Sequence, residues 1–194
     1  MRALFLLLFA LLTTLPLVGC APLLVGGAAA SGIIVAQDRR TAGTMLNDQR
    51  IEMRVKDYIV KDKELLDNSH VKVDSYNGIV LLTGEVALPV MAERIHTFTK
   101  QEAHVREVRN ELRIAPPSEM AARRADIALN SRVRSALFSD RDVKSGAIRV
   151  VTHDGTVYLL GLVTRAEAEQ VVEATRAVSG VKHIVRIFEY IRVD

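Results

Sequence analysis

The sequence predicts an α+β protein built as a tandem repeat of two small modules, each with the order helix, strand, strand, helix, strand. The turn dipeptides Asn77-Gly78 and Asp154-Gly155 each lie between two runs of β-branched and aliphatic residues, as in a tight hairpin. Their glycines lie 77 positions apart, and so do Gly84 and Gly161 in the strands that follow. Each module is therefore expected to contain a three-stranded sheet packed by two helices.

The overall composition is that of a globular protein. Of the 194 residues, 49% are hydrophobic and 25% are charged, which excludes a disordered chain, a collagen-like chain and a multi-span membrane protein. The net charge of +3 is spread along the chain, so no nucleic-acid partner is expected. The single cysteine excludes an internal disulfide framework and any zinc site built from several cysteines.

The N-terminus has the pattern of an export signal. A short basic start, Met1-Arg2, precedes an apolar run over residues 3–12, which is too short for a comfortable membrane span and fits a secretory signal. The motif Leu17-Val18-Gly19-Cys20 resembles the lipobox of bacterial lipoproteins. The resemblance implies that Cys20 is the first mature residue, carries lipid on its sulfur and is acylated on its amine. Ala21, in place of an inner-membrane retention Asp, favours the outer membrane.

The chain is predicted to divide into a lipoprotein signal peptide (residues 1–19), a lipidated cysteine and tether (20–43), a first module (44–115), a linker containing Pro116-Pro117 (116–118) and a second module (119–194). The uncharged, apolar stretch over residues 22–36 has two interpretations. It is either a flexible tether between lipid and domain, or a segment whose apolar residues lie in the membrane interface near the anchor.

The helices of the modules are predicted from apolar spacing. The first helix of the first module covers residues 47–66, with Ile51, Val55, Tyr58 and Ile59 on one face. Its counterpart covers residues 119–138, with Leu129, Val133, Ala136 and Leu137 at equivalent places. The second helices begin near Pro89 and at the capping-box pair Thr164 and Glu167. The last strands are predicted over residues 105–114 and 181–191. Modules of this size have thin cores, so contact between the twins is expected to help.

The second module carries the motifs Val133-Arg134-Ser135, Gly161-Leu162-Val163-Thr164 and Val178-Ser179-Gly180-Val181-Lys182. With the element order and the x-Gly turn, they resemble the BON domain (bacterial OsmY and nodulation). A lipobox followed by two such domains resembles the DolP/YraP family of outer-membrane lipoproteins. The resemblance implies a non-enzymatic, periplasm-facing protein that supports outer-membrane integrity and binds anionic phospholipid through its second BON domain.

The first helices of the two modules differ in charge. Residues 48–67 carry five basic and six acidic side chains, whereas residues 120–138 carry four basic and one acidic, a net charge of +3. Basic, apolar and aromatic groups on one outward face favour contact with an anionic bilayer. The candidate phospholipid-binding residues are Arg124, Ile127, Ala128, Ser131, Arg134 and Phe138. The alternative is that Phe138, like Val60, closes its own core and that the basic face is only solvated. Members of the family can present a Trp where this chain has Ala128.

No catalytic site is predicted. The five histidines lack metal-ligand spacing with acidic residues and are expected to be solvated, and the acidic residues are expected to act as surface partners on helices. No cofactor is expected beyond the lipid on Cys20. An alternative function is that of an adaptor, in which the strand over residues 181–191 recruits an outer-membrane assembly protein by strand addition.

Overall fold

A computed structural model describes residues 38–192, which belong to one compact unit. The first module contains α1 (Ala42–Lys61), α2 (Lys63–Asn68), β1 (Ser69–Tyr76), β2 (Ile79–Val86), α3 (Pro89–Gln101) and β3 (Glu107–Ile114). The second contains α4 (Met120–Ser139), a short 3-10 turn (Ser145–Ala147), β4 (Ile148–His153), β5 (Thr156–Val163), α5 (Arg165–Arg176) and β6 (His183–Tyr190). The predicted α+β fold of two repeated modules is confirmed.

The first helix of the first module departs from its predicted bounds at both ends. It begins at Ala42 rather than at residue 47, because Thr41 caps it by accepting a hydrogen bond from the Thr44 backbone N–H. It ends at Lys61 because Asp62 is extended and caps a separate short helix, accepting from the Leu65 backbone N–H at 3.1 Å. One predicted helix is therefore two.

The last strands begin two residues later than the sequence predicts, at Glu107 and His183. In both modules a hydrogen-bonded turn follows the preceding helix before the strand begins. The backbone N–H of Val105 donates to the carbonyl of Glu102, and that of Val181 donates to the carbonyl of Val178. The predicted capping box at Thr164 and Glu167 is present.

The two sheets share one topology. The first two strands of each module form an antiparallel hairpin, and the third pairs in parallel with the second after a helical crossover, so that the orders are β1-β2-β3 and β4-β5-β6. Alternate residues of β2 face opposite sides. Val80 and Leu82 pack against the helices of their own module, whereas Ile79 and Leu81 belong to a different cluster.

That second cluster joins the modules. Its first-module members are Tyr76, Ile79 and Leu81, and its second-module members are Val151, Tyr158, Leu160 and Ile187. The sheets thus pack against each other through the faces that turn away from their helices, and burial of these side chains stabilises the pair. The expected contact between the twins is present.

Polar contacts at the edges of this interface set the orientation of the modules. Arg149 pairs with Asp74 at 2.7 Å, and the Tyr76 hydroxyl donates to the Ala147 carbonyl at 2.9 Å. Arg39, just before α1, makes a two-point ion pair with Glu167 of the second module at 2.7 and 2.8 Å. The hydrogen bonds from Arg39 hold the pKa of the Glu167 carboxyl well below its usual range.

A buried aspartate in each first helix holds the hairpin turn of its module. Asp48 accepts hydrogen bonds from the backbone N–H groups of Asn77 and Gly78, and Asp126 accepts from those of Asp154 and Gly155. All four turn residues have positive φ, from 47° to 77°, as expected for the two glycines. The expectation that acidic residues on these helices are surface partners is wrong for both aspartates, which are buried.

Candidate membrane-binding surface

The candidate phospholipid-binding residues form one exposed stripe on α4. The helix buries Leu129, Val133 and Leu137 against its own sheet. At 3.6 residues per turn, the opposite side carries the candidate residues, all of which are exposed. This set is called the α4 stripe and consists of Arg124, Ile127, Ala128, Ser131, Arg134 and Phe138.

The arginines of the α4 stripe have no acidic partner in the part of the chain that the structure describes. Neither Arg124 nor Arg134 forms an ion pair among residues 38–192. On α1, by contrast, Arg54 pairs with Glu102, Lys56 with Glu52 and Lys61 with Asp57. The positive charge of α4 is therefore available to an external anion, whereas most of the positive charge of α1 is neutralised locally.

The apolar members of the α4 stripe project into solvent. Ile127 is 64% exposed and Phe138 is 69% exposed. Phe138 therefore does not close the core of its module, and neither does its exposed counterpart Val60. A bilayer interface would cover apolar side chains of this kind at a gain of about 25 cal/mol per Å² of buried apolar surface.

Apolar exposure alone does not distinguish the two modules. Helix α1 exposes Leu46, Met53 and Val60 at the places where α4 has Arg124, Ser131 and Phe138. The sequence prediction rested on the charge and the apolar residues of the second module, and it missed these exposed side chains of α1. The property that sets α4 apart is its unpaired positive charge.

His153 is buried, so the expectation that it is solvated is wrong. It is 5% exposed, and its Nε2 lies 3.1 Å from Oε1 of Glu85 in the first module. Its Nδ1 lies 3.8 Å from Oδ2 of Asp126. Burial lowers the pKa of His153, although both carboxylates act in the opposite direction. The pattern of one strand could not reveal this, because Glu85 reaches His153 only when the two sheets pack.

The described residues include no group of three or more His, Cys, Asp or Glu side chains placed to hold a metal ion. Within residues 38–192, no helix is both long enough and apolar enough to cross a membrane. The predicted signal peptide, Cys20 and most of the predicted tether lie outside the described residues.

Two segments, residues 47–116 and 125–191, match the BON domain, and together they cover more than half of the chain. The chain belongs to the BON-domain family. This match confirms the resemblance inferred from the turn and strand motifs.

Three curated relatives show which proteins with BON domains this chain is similar to. The outer membrane lipoprotein DolP of Haemophilus influenzae is 34% identical, and the similarity covers 92% of each chain. The 21 kDa hemolysin of Actinobacillus pleuropneumoniae is 29% identical over 80% of each chain. The osmotically inducible protein Y of Escherichia coli is 27% identical over 79% of this chain and 78% of that one. This protein is a DolP-like outer-membrane lipoprotein with two BON domains, and the expected localisation is confirmed.

Proposed function

We propose that this BON protein docks on anionic phospholipid through the α4 stripe and supports the integrity of the outer membrane as a binding protein rather than as an enzyme. The observation that carries the proposal is the pair of unpaired arginines, Arg124 and Arg134, beside the exposed side chains Ile127 and Phe138. Each basic group near an anionic bilayer contributes about 1 kcal/mol, and inserted apolar area adds to this.

The proposal includes Cys20 as the membrane anchor. Two or more acyl chains hold a protein on a bilayer stably without a membrane-spanning helix, so the α4 stripe needs to supply only orientation and lipid preference. Replacement by Cys20→Ser removes the thiol that lipidation requires. We expect this variant to be uncleaved or soluble in the periplasm, whereas normal membrane fractionation with normal acyl labelling would contradict the assignment.

Liposome co-sedimentation tests the docking surface directly. The fragment over residues 37–194 lacks the anchor, so any binding comes from the folded modules. We expect it to sediment with vesicles that contain phosphatidylglycerol and to remain in solution with pure phosphatidylcholine. Binding should fade as salt rises, because the Debye length shortens from about 10 Å at 0.1 M to about 3 Å at 1 M. Equal binding to both vesicle types would contradict the proposal.

A second candidate function is strand addition by a protein partner, and the sheet order favours it. Among the described strands, β6 pairs with β5 alone and so forms an edge of its sheet. An edge strand presents backbone donors and acceptors to a partner strand. Pairing of this kind depends on main-chain hydrogen bonds, so a partner captured through β6 should stay bound at salt concentrations that release the protein from vesicles.

A further inference from the structure

The segment before α1 fills a site at the junction of the modules. Arg40 donates a hydrogen bond to Oδ2 of the buried Asp48 at 2.8 Å, and its guanidinium lies 3.8 Å from the centre of the Tyr76 ring. Asp38 also accepts from Arg40, at 2.7 Å. The buried aspartate of the first module is thus neutralised by an arginine stacked on an aromatic ring.

The second module has the same site without the arginine. Helices α1 and α4 are both 20 residues long and start 78 positions apart, so Ser118 occupies the place of Arg40 and Asp126 that of Asp48. Across the hairpin turns, His153 occupies the place of Tyr76. Serine is too short to reach the aspartate. A cavity of about 280 Å³ remains, lined among others by Ser118, Asp126, His153 and Glu85.

The cavity is lined by buried carboxylates whose hydrogen-bonding capacity is not fully used. Glu85 is 1% exposed, and its Oε1 has no hydrogen-bond partner in the described chain, although it lies 3.1 Å from His153 Nε2 and 3.6 Å from an Arg113 nitrogen. Asp126 pairs with no lysine or arginine among residues 38–192. A buried carboxylate without a full set of donors is costly, so a bound donor here is favourable.

Most of the basic side chains that line the cavity are paired with acidic side chains. Arg113 and Lys182 both bond to Asp154, at 2.6 and 3.1 Å, and these hydrogen bonds lower the pKa of that carboxyl. Arg132 lines the cavity and has no ion pair among the described residues. Its counterpart Arg54 in the first module pairs with Glu102.

We propose that this cavity binds the guanidinium group of an arginine side chain presented by a non-helical segment of a partner polypeptide. The guanidinium donates to the carboxylates of Asp126 and Glu85 and lies on the ring of His153, as Arg40 lies on Tyr76. The occupant of the twin site indicates the residue type, and Arg40 lies before α1 outside any helix or strand.

Acetyl-arginine methylamide is the probe for this site. Titrated into the 37–194 fragment, it should produce saturable NMR shifts of the Ser118, Asp154 and Gly155 amides, and acetyl-glutamine methylamide should not. Glu85→Gln should weaken binding by about tenfold or more, because a charge-assisted hydrogen bond is lost. Absence of saturable shifts in the wild-type fragment would overturn the proposal, and so would saturation of the same amides by inorganic phosphate alone, which would make Arg132 an anion site.

Ser118→Arg provides a test that does not depend on removing a buried group. It places an arginine where the first module has Arg40, and it should raise the melting temperature and abolish binding of the probe. Ser118→Met is the matched control, with a chain of similar reach and no charge, and should not raise the melting temperature. If the probe binds Ser118→Arg as tightly as the wild type, the cavity is not a guanidinium site.

Discussion

Helices α1 and α4 have the same length, the same place in the repeat and the same buried positions, yet their outward faces differ. The buried sets are Asp48, Ile51, Val55 and Ile59 in α1, and Asp126, Leu129, Val133 and Leu137 in α4. The inward face is constrained by the sheet and the hairpin turn that it packs against. The outward face is free to diverge, and it has done so in charge pairing rather than in exposed apolar area.

The largest expected effect comes from reversing the charge of the α4 stripe. Arg124→Glu with Arg134→Glu takes residues 120–138 from a net charge of +3 to −1, the value of residues 48–67 in the first module. At about 1 kcal/mol per unit charge, binding to phosphatidylglycerol vesicles should fall by about a thousandfold. Stability should change by no more than about 0.5 kcal/mol, since both side chains are exposed.

The matched control reverses two charges on α1. Arg50→Glu with Lys56→Glu changes the net charge equally on a helix whose outward face is similarly apolar. We expect co-sedimentation of this variant to stay within about threefold of the wild type. Equal losses in the two double variants would mean diffuse electrostatic attraction, and the assignment to α4 would be wrong.

Substitution of the turn glycine should destabilise the protein more in the first module than in the second. A Cβ at Gly78 would lie 2.6 Å from the backbone carbonyl oxygen of His104, whereas a Cβ at Gly155 would meet only the flexible Lys182 side chain at 2.8 Å. Both residues have φ above +70°. Gly78→Ala should therefore cost about 3 kcal/mol in urea unfolding and Gly155→Ala about 1 kcal/mol, with lipid binding per folded molecule unchanged. A larger loss at Gly155 would contradict this ranking.

Removal of an apolar group should have a smaller effect on lipid binding. Ile127→Gln gives α4 the residue that α1 has at Gln49, and the lost insertion should weaken vesicle binding by about 1 kcal/mol, roughly fivefold. Met53→Gln removes an exposed apolar side chain from α1 in the same way, although at the place of Ser131, and should leave binding unaltered. Weaker binding by Met53→Gln would place α1 in the membrane contact as well.

The smallest expected effect is the pH dependence of stability that His153 contributes from the second module. Burial lowers the pKa of His153 below 6.5, whereas burial raises the pKa of its counterpart Tyr76 to about 12. The unfolded chain therefore binds more protons than the folded protein as pH falls below about 6.5, and stability is lost between that pH and the lower folded pKa. The melting temperature should fall over this range in the wild type and fall less in His153→Gln.

His70 provides the control for this measurement. Burial and the neighbouring cations Arg123 and Lys72 lower its pKa as well, so it contributes to the same range from the first module. His70→Gln should leave unchanged the part of the fall in melting temperature that comes from His153. If His153→Gln keeps the full wild-type slope of melting temperature against pH, the buried histidine does not resist protonation in the folded protein.

Local patterns in the sequence determined most of the fold and the exposure of the α4 stripe. The repeat follows from turn dipeptides at a fixed separation, the positive φ of Gly78 and Gly155 from hairpin geometry, and the capping box from Thr164 and Glu167. The outward position of Arg124 and Phe138 follows from helical spacing relative to Leu129 and Val133. Each of these features depends on residues close together in the chain.

Only the tertiary structure decided how the two modules meet. Glu85 and His153 are 68 positions apart, and Arg39 and Glu167 are 128 apart, so no spacing rule connects them. The cavity beside Asp126 is likewise lined by residues of both modules, among them Glu85 and His153. A pattern within one strand or helix shows which face is apolar, but it carries no information about which polar group of another element that face will meet. Packing of the two sheets makes those choices, because every buried donor and acceptor at their junction then needs a partner.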